Sequence, residues 1–232
     1  MSGPPGEAAL DPAVLERFPD YRAVVLYADG LTNGPSDERS EGRLRAAQET
    51  AHARVGDAVA DHPHVAAWRR AYAAFGAKPS RFHSSIEALL RRAAKGGVPP
   101  INRLVDTYNA ISLEHVLPVG GENRDALSGD DVLTFARGDE RFETADGGEA
   151  TTVTADAGEV VWRDDIGITC RRWNWRQSTR TRLTESVTSA FFVLDALAPY
   201  PDEALDEAAA ALARALRKDS PRCAVSTVRL TG

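Results

Sequence analysis

The hydrophobic periodicity of the chain changes once, after Pro118-Val119-Gly120-Gly121, and this change limits the possible folds most strongly. Before it, apolar residues recur every three or four positions over residues 41–60, 64–75 and 101–115, which predicts helices. After it, short apolar runs at residues 132–136, 158–164 and 167–176 are separated by Asp and Gly turns, which predicts strands.

A few segments depart from this order without changing the fold class. Residues 21–28, 189–197 and 223–230 are β-branched or aromatic runs typical of strands, and residues 205–218 are strongly helical. The pattern predicts an α+β fold with helices mostly N-terminal, packed on a mainly antiparallel sheet. Residues 1–12 are small and rich in Gly, Pro and Ala, which predicts disorder, and residues 13–232 form a single domain.

Composition excludes several functional classes. No apolar run is long enough to span a bilayer, and no basic segment precedes an apolar core at the N-terminus, so a cytoplasmic location is expected. Cys170 and Cys223 have no CxxC or His/Cys cluster around them, and no metal or cofactor is expected. The net charge of −6 argues against general polyanion binding.

The segment RRWNWRQS at residues 171–178 concentrates arginines, tryptophans and amides. On a strand, alternation places Arg172, Asn174 and Arg176 on one face and both tryptophans on the other. Two guanidiniums flanking an amide suit phosphate or carboxylate oxygens. Arg180 and Arg182 extend the positive charge, which indicates an anionic ligand.

Two further clusters combine polar residues with predicted helices. Lys78, Arg81 and His83 lie just before a helix that starts at Ser84 or Ser85, and the free N–H groups of a helix start favour an anion. In the helix over residues 101–115, Asp106 and Asn109 are three positions apart and share a face. Asp and Asn are poor helix-interior residues, so their clustering indicates hydrogen bonding, either structural or in a pocket.

Taken together, these segments resemble the B3/B4 domain of the phenylalanyl-tRNA synthetase β subunit. The resemblance is carried by SSIEALLRRAAKGGVPPINRLVDTYNAISLEHVLPVG at residues 84–120, while KPSRFHSS and RRWNWRQS are similar to segments of freestanding members of the family. It covers roughly residues 70–200 and implies a B3/B4-like fold.

The resemblance also implies a function. In the synthetase this domain edits, hydrolysing the ester that joins a wrong amino acid, chiefly tyrosine, to tRNA. The resemblance implies a separate factor that edits misacylated aminoacyl-tRNA in trans, or a non-catalytic aminoacyl-tRNA, RNA or amino-acid binder. A third hypothesis is a metabolic protein that uses the pocket for a free carboxylate. The chain is too short to hold a complete synthetase beside this domain.

Residue by residue, the pocket asparagine of the family falls on Asn109, its preceding threonine on Tyr108, and a pocket histidine on Gly120. The segment that carries the specificity glutamate falls near residues 174–178, which differ, and this implies another amino acid, another ester, or binding without chemistry. We predict that Asn109 and Asn174 orient the amino acid and water, that His83 acts as a general base, and that Trp173 or Trp175 stacks on the terminal adenine. The predicted substrate-binding residues are Ser84, Ser85, Asp106, Tyr108, Gly120, Arg172, Arg176 and Gln177, and the predicted RNA-binding residues are Lys78, Arg81, Arg180 and Arg182.

Overall fold

The computed structural model describes residues 6–230, so the prediction of disorder for residues 1–5 lies outside the described part of the chain. For residues 8–12 that prediction is wrong. Strand β1 (Ala8–Leu10) pairs in parallel with a later strand, and the Asp11 side chain caps helix α1 (Pro12–Arg17) by accepting a hydrogen bond from the backbone N–H of Ala13 at 3.0 Å. Residues 8–10 are ordered because their backbone groups form hydrogen bonds with a distant strand. Their own small side chains give no sequence pattern from which this pairing could be predicted.

The five remaining helices match the predicted periodicity. They are α2 (Glu38–Val55), α3 (Pro63–Ala74), α4 (Ser85–Ala93), α5 (Arg103–His115) and α6 (Asp202–Asp219). Ser84 accepts from the backbone N–H of Glu87 at the start of α4, and Asn102 accepts from that of Val105 at the start of α5. Both are caps of the kind that Ser and Asn favour, so local sequence sets where the two site-forming helices begin.

A four-stranded antiparallel sheet forms the centre of the molecule. Its order is β11 (Ala224–Leu230), β2 (Arg22–Asp29), β10 (Ser189–Ala196) and β3 (Val119–Asn123). The two central strands are buried on both faces, which explains their nearly continuous apolar sequences. Phe191 and Val193 face one core cluster, whereas Phe192 and Leu194 face the other, which α6 covers.

A second sheet packs beside the first. Its order is β1, β4 (Asp131–Phe135), β7 (Val160–Arg163), β8 (Ile168–Arg171), β5 (Arg141–Asp146) and β6 (Glu149–Thr154), and the short β9 (Arg176–Gln177) pairs with β8. Within residues 6–230 only the β1–β4 and β5–β8 pairs are parallel. The predicted α+β class with mainly antiparallel sheets is confirmed. Among the described residues, no helix is both long enough and apolar enough to cross a membrane.

Candidate functional site

A cavity of about 240 Å³ lies where α4, α5 and the two sheets meet. It collects residues far apart in sequence, which is how a folded chain assembles a ligand site. Its lining residues are Ser85, Ala88, Leu89, Arg92, Ile101, Val105, Tyr108, Asn109, Val119, Gly120, Gly121, Glu122, Asp131, Trp162, Cys170, Trp173, Asn174, Trp175, Arg176, Gln177, Phe191, Val193 and Asp195.

One wall of the cavity is a tight turn that interrupts the predicted strand over residues 167–176. Arg172 and Trp173 adopt φ values of 46° and 67°, a left-handed conformation that non-glycine residues rarely take. The turn separates β8 from β9, so strand alternation does not apply to residues 172–175, and the predicted face shared by Arg172, Asn174 and Arg176 is wrong.

The turn is fixed by the buried carboxylate of Glu159. This carboxylate accepts hydrogen bonds from Arg171 Nε at 2.9 Å, from Arg171 Nη2 at 2.7 Å and from the backbone N–H of Arg172 at 3.0 Å. The Arg172 guanidinium lies over the Phe82 ring, 3.8 Å from its centroid, and forms an ion pair with Asp156 at 3.3 Å. Arg172 does not line the cavity, because its charge is used to hold the turn.

Trp173 is fully buried in the core and is therefore not available to stack on a nucleotide base. Its ring makes edge contacts with Phe18 and Tyr21 at centroid distances of 4.9 Å and with Trp68 at 5.2 Å. Trp175 is only partly buried and lines the cavity beside Phe82, so of the two tryptophans it is the one that can meet a ligand.

Asn174 is held between three elements. Its Oδ1 accepts from the Tyr72 hydroxyl at 3.0 Å, its Nδ2 donates to Asp195 Oδ2 at 3.2 Å, and its backbone carbonyl accepts from the N–H of Ser85 at 3.1 Å. Asp195 also accepts from the Tyr21 hydroxyl at 2.6 Å. Burial raises the pKa of the Asp195 carboxyl to about 6, so this group titrates close to neutral pH.

A second acidic group in the cavity consists of Glu122 on β3 and Asp131 at the start of β4. Burial, together with the charge of Asp131, holds the pKa of Glu122 well above its usual range, and burial raises the pKa of Asp131 to about 7. Gln177 donates to Glu122 Oε2 at 2.8 Å and to the carbonyl of Gly121. Thr169 Oγ1 donates to Asp131 Oδ1 at 2.8 Å.

Three polar side chains of the cavity have no hydrogen-bond partner among residues 6–230. They are the amide of Asn109, the hydroxyl of Tyr108 and the hydroxyl of Ser85. A Cβ at Gly120 meets nothing within 4 Å, so this position leaves space in the cavity where the family places a histidine. The free groups are available to a ligand because no internal bond has to be broken first.

The opening of the cavity is marked by its exposed lining residues, Arg92, Ile101 and Arg176. Ile101 is 59% exposed, and the Arg176 guanidinium lies 4.6 Å from the centroid of the Trp175 ring. The interior thus combines acidic and amide groups with apolar side chains, whereas the rim carries two arginines and the exposed side chain of Ile101.

Besides Arg172, three predicted catalytic or substrate-binding residues lie outside the cavity lining. His83 Nε2 lies 3.6 Å from Glu87 Oε1, and partial burial lowers the pKa of His83. Ser84 serves as the cap of α4. Asp106 is buried and accepts from Ser40 Oγ at 2.7 Å and from the backbone N–H of Ile101 at 2.9 Å, so its role is structural. The helical-face argument was wrong for Asp106 because residues at i and i+3 diverge by about 60° around the helix axis.

The predicted RNA-binding residues divide in a similar way. Arg180 is held by Asp164 through hydrogen bonds of 2.8 Å and 2.9 Å and also donates to the carbonyl of Ala126, so its guanidinium is not free for RNA. Lys78, Arg81 and Arg182 are exposed.

The carboxyls of Glu122, Asp131 and Asp195 are site residues that the sequence-based prediction missed. Each belongs to a strand with buried neighbours, as in AFFVLDA at residues 190–196. An acidic residue inside an apolar strand is the sequence signal that could have identified them. Burying a carboxyl costs free energy unless it has a partner, so such a residue indicates a functional or structural role. Within the described residues no group of His, Cys, Asp and Glu side chains is placed to hold a metal ion.

The fold and the cavity define an α+β protein with an internal cavity between its helices and sheets. A family model of the B3/4 domain matches residues 67–221. This match spans more than half of the chain, so the chain belongs to the B3/4 domain family, as the sequence motifs predict.

A solved structure, an N-terminal fragment of the phenylalanyl-tRNA synthetase β-subunit from Pyrococcus horikoshii, is similar to the chain with a TM-score of 0.48 and 11% sequence identity. The similarity covers 100% of this chain and 56% of that one, so the chain spans about half the length of that fragment. No curated protein matches the sequence.

Proposed function

We propose that the chain is a freestanding editing-domain homologue that hydrolyses misacylated aminoacyl-tRNA in trans. The observation that carries this proposal is the cavity itself, where the free amide of Asn109 and the guanidinium of Arg176 line one space. The interior offers hydrogen-bonding groups to an amino acid, and the opening offers cations to the phosphates of the RNA end.

The rim supports binding of a single-stranded RNA end. Arg92 and Arg176 are exposed at the opening and are suited to phosphate oxygens. Trp175 offers a ring for base stacking, a contact typical of single-stranded RNA recognition. Lys78 and Arg81, exposed beside Phe82, widen this basic surface, and a tRNA partner and a cytoplasmic location follow from the proposal.

The proposed reaction is attack of water on the ester carbonyl carbon, with the ribose hydroxyl leaving as the carbon–oxygen bond breaks. The amide N–H of Asn109 is a donor for the developing oxyanion, because it is not committed elsewhere. Asp195 replaces His83 as the proposed base: its carboxylate has a pKa of about 6, and Asn174 and Tyr21 fix its orientation.

One observation favours the alternative, a binding module without hydrolysis. Cys170 lines the cavity, but burial holds the pKa of its thiol well above its usual range, so it stays protonated and a poor nucleophile. Ser85 has no hydrogen-bond partner among the described residues, so no base activates its hydroxyl. Neither of these two side chains therefore provides a covalent route, and hydrolysis without one depends on a positioned water.

A panel of tRNAs, each charged with a different amino acid, tests the proposal. We expect ester loss above the rate without protein for at least one amino acid, and Asn109→Ala to lower that rate by about 100-fold or more because an oxyanion donor is removed. Arg214→Ala is the matched control for Arg176→Ala, because Arg214 is exposed on α6, across the central sheet from the cavity. If no charged tRNA in the panel loses its ester although tRNA still binds, hydrolysis is excluded and only the interpretation as a binding module remains.

A further inference from the structure

The inner wall of the cavity holds two carboxyls whose ionised form nothing in their surroundings balances. Glu122 is 7% exposed and Asp131 is 1% exposed, yet neither forms an ion pair with a basic residue of the described chain. Arg180 is close enough to influence both carboxyls, but its nitrogens bond to Asp164 and to the carbonyl of Ala126. Buried carboxylates are normally paired, so this wall lacks its partner.

The hydrogen bonds to this wall are also incomplete. Asp131 Oδ1 has the hydroxyl of Thr169 and Glu122 Oε2 has the amide of Gln177 as donors. Asp131 Oδ2 is fully buried and has no donor among residues 6–230. Leaving such an oxygen unsatisfied is costly, so a ligand that brings a donor to it gains a charge-assisted hydrogen bond.

The rest of the lining restricts what else that ligand carries. Val105, Val119, Phe191 and Val193 give the cavity an apolar surface suited to a hydrocarbon chain. A carboxylate or phosphate at the inner wall would further disfavour the ionised form of two carboxyls whose pKa burial already raises, and a purely apolar group would leave Asp131 Oδ2 unsatisfied. An ammonium has three donors and a positive charge, which match both needs.

We propose that the cavity is a receptor for a primary ammonium group, which Glu122 and Asp131 bind at its inner wall. The inference rests on the proposed function in one respect: if the chain acts on aminoacyl-tRNA, the bound amine is that of an aminoacyl ester. That amine is either the α-ammonium of the amino acid or an ammonium at the end of its side chain. The two sources share their chemistry and are separated by experiment.

Calorimetric titration of the full chain at pH 8 with three adenosines, each amide-linked at the 3′ position so that it cannot be hydrolysed, tests the proposal. One carries lysine, one carries 2-aminoheptanoic acid, in which a methyl replaces the side-chain ammonium, and one carries N-acetyl-2-aminoheptanoic acid, which has no amine. We expect the ammonium that the wall binds to lower the dissociation constant by about tenfold or more relative to the probe that lacks it. Tighter binding of the lysine probe than of the 2-aminoheptanoic probe identifies the side-chain amine. Tighter binding of the 2-aminoheptanoic probe than of its N-acetyl form identifies the α-amine. Equal affinity for all three overturns the proposal.

Variants link the effect to the wall. Asp131→Asn and Glu122→Gln are each expected to remove the preference for amines while the N-acetyl probe binds as before, and circular dichroism checks that each variant is folded. Asp139→Asn, an exposed acid-to-amide change outside the cavity, should leave every affinity unchanged. Retention of the amine preference in both folded cavity variants would also overturn the proposal.

Titration with pentylamine and pentanol separates this inference from the proposed function. If no adenosine probe binds but pentylamine binds and pentanol does not, the ammonium site stands and the aminoacyl-tRNA function fails. If pentylamine also fails to bind, the ammonium site is wrong. If charged tRNA is hydrolysed whether or not the aminoacyl group carries an amine, the proposed editing function is supported and the ammonium site is wrong.

Discussion

The Asp131 carboxyl lies in a wall of the cavity that water barely reaches. Its neighbours are Glu122 and Asp164, which disfavour its charge, and Thr169 and Arg180, which favour it. Burial outweighs the favourable contacts and raises the pKa of Asp131 from 3.8 to about 7. The folded chain therefore binds a proton at Asp131 over a pH range in which the unfolded chain has lost it.

This shift predicts the pH dependence of stability. Because the pKa in the folded state is above that in the unfolded state, the free energy of unfolding falls as pH rises from about 4 to about 7, by up to about 1.4 kcal/mol per pH unit from this group. We expect Asp131→Asn to flatten this dependence and to be more stable than the wild type above pH 7. Urea unfolding at pH 5 and pH 8 measures the pH dependence and the difference in stability, with the exposed change Asp139→Asn as control.

Groups that do not interact with Asp131 titrate alike in both proteins, so their contribution cancels in the comparison. The pKa of Glu122 falls when the charge of Asp131 is removed, and this change adds to the flattening. Equal slopes for the wild type and Asp131→Asn would show that Asp131 is ionised at pH 5 in the folded state. The Asn side chain still accepts from Thr169 through its oxygen, so the change in charge is isolated from loss of that hydrogen bond.

At the scale of elements, the turn over residues 172–175 places the cavity residues Asn174 and Arg176. Two consecutive left-handed non-glycine residues cost about 1–3 kcal/mol each, and the turn persists because its surroundings hold it. Glu159, in the residue before β7, supplies three of those bonds, and the N–H of Trp173 donates to the carbonyl of Val160 at 2.7 Å.

We therefore expect Glu159→Ala to lower the free energy of unfolding by about 3–5 kcal/mol, because it leaves the buried guanidinium of Arg171 with only the exposed Asp156, 3.9 Å away, as an acidic partner. Asp156→Ala is the matched control: it removes the other acid paired with Arg172, but its side chain is 86% exposed, so a loss below about 1 kcal/mol is expected. Urea unfolding of both variants gives the comparison. Similar losses in the two variants would mean that Glu159 does not fix the turn.

Elements with a strong hydrophobic period were predictable, and elements defined by distant partners were not. The apolar spacing of α5 and the aromatic run of β10 define them locally. Strand β6 is exposed along its whole length and has no apolar alternation, and β3 contains Gly120 and Gly121. The Gly147-Gly148 pair, with φ values of 58° and 92°, was a local signal for the β5–β6 hairpin that the prediction did not use.

The same distinction applies to the site. Asn109 and Arg176 were predicted to share a cavity and both line it, because family motifs mark their positions. The turn that displaces Arg172 contains no glycine, so nothing in its own sequence announces a left-handed backbone. Its cause is Glu159, thirteen residues before Arg172 and just ahead of strand β7. Reasoning from one segment cannot include such a contact.

At the scale of the whole molecule, the charges are separated by the central sheet. The acids of the first turns of α6 lie on the side that this helix covers, where Asp202 and Asp206 bond to Arg229 of β11. Asp195, close to them in sequence, instead lies in the cavity. The opening with Arg92 and Arg176 therefore places two exposed positive charges together on a chain whose net charge is −6, and this favours approach of a polyanion from one side.

This separation predicts that tRNA binding is salt-dependent through a few residues only. Each arginine contact with a single-strand phosphate contributes about 0.7 to the slope of log affinity against log salt concentration, because it releases condensed counterions. Arg176→Ala should lower the slope by about that amount, whereas Arg214→Ala, on the exposed side of α6, should leave it unchanged. Filter binding of tRNA from 50 to about 200 mM salt measures both slopes. An equal reduction of the slope in the two variants would mean that the charge of the whole molecule, rather than the cavity opening, attracts the RNA. An unchanged slope for Arg176→Ala would show that the opening does not contact the RNA phosphates.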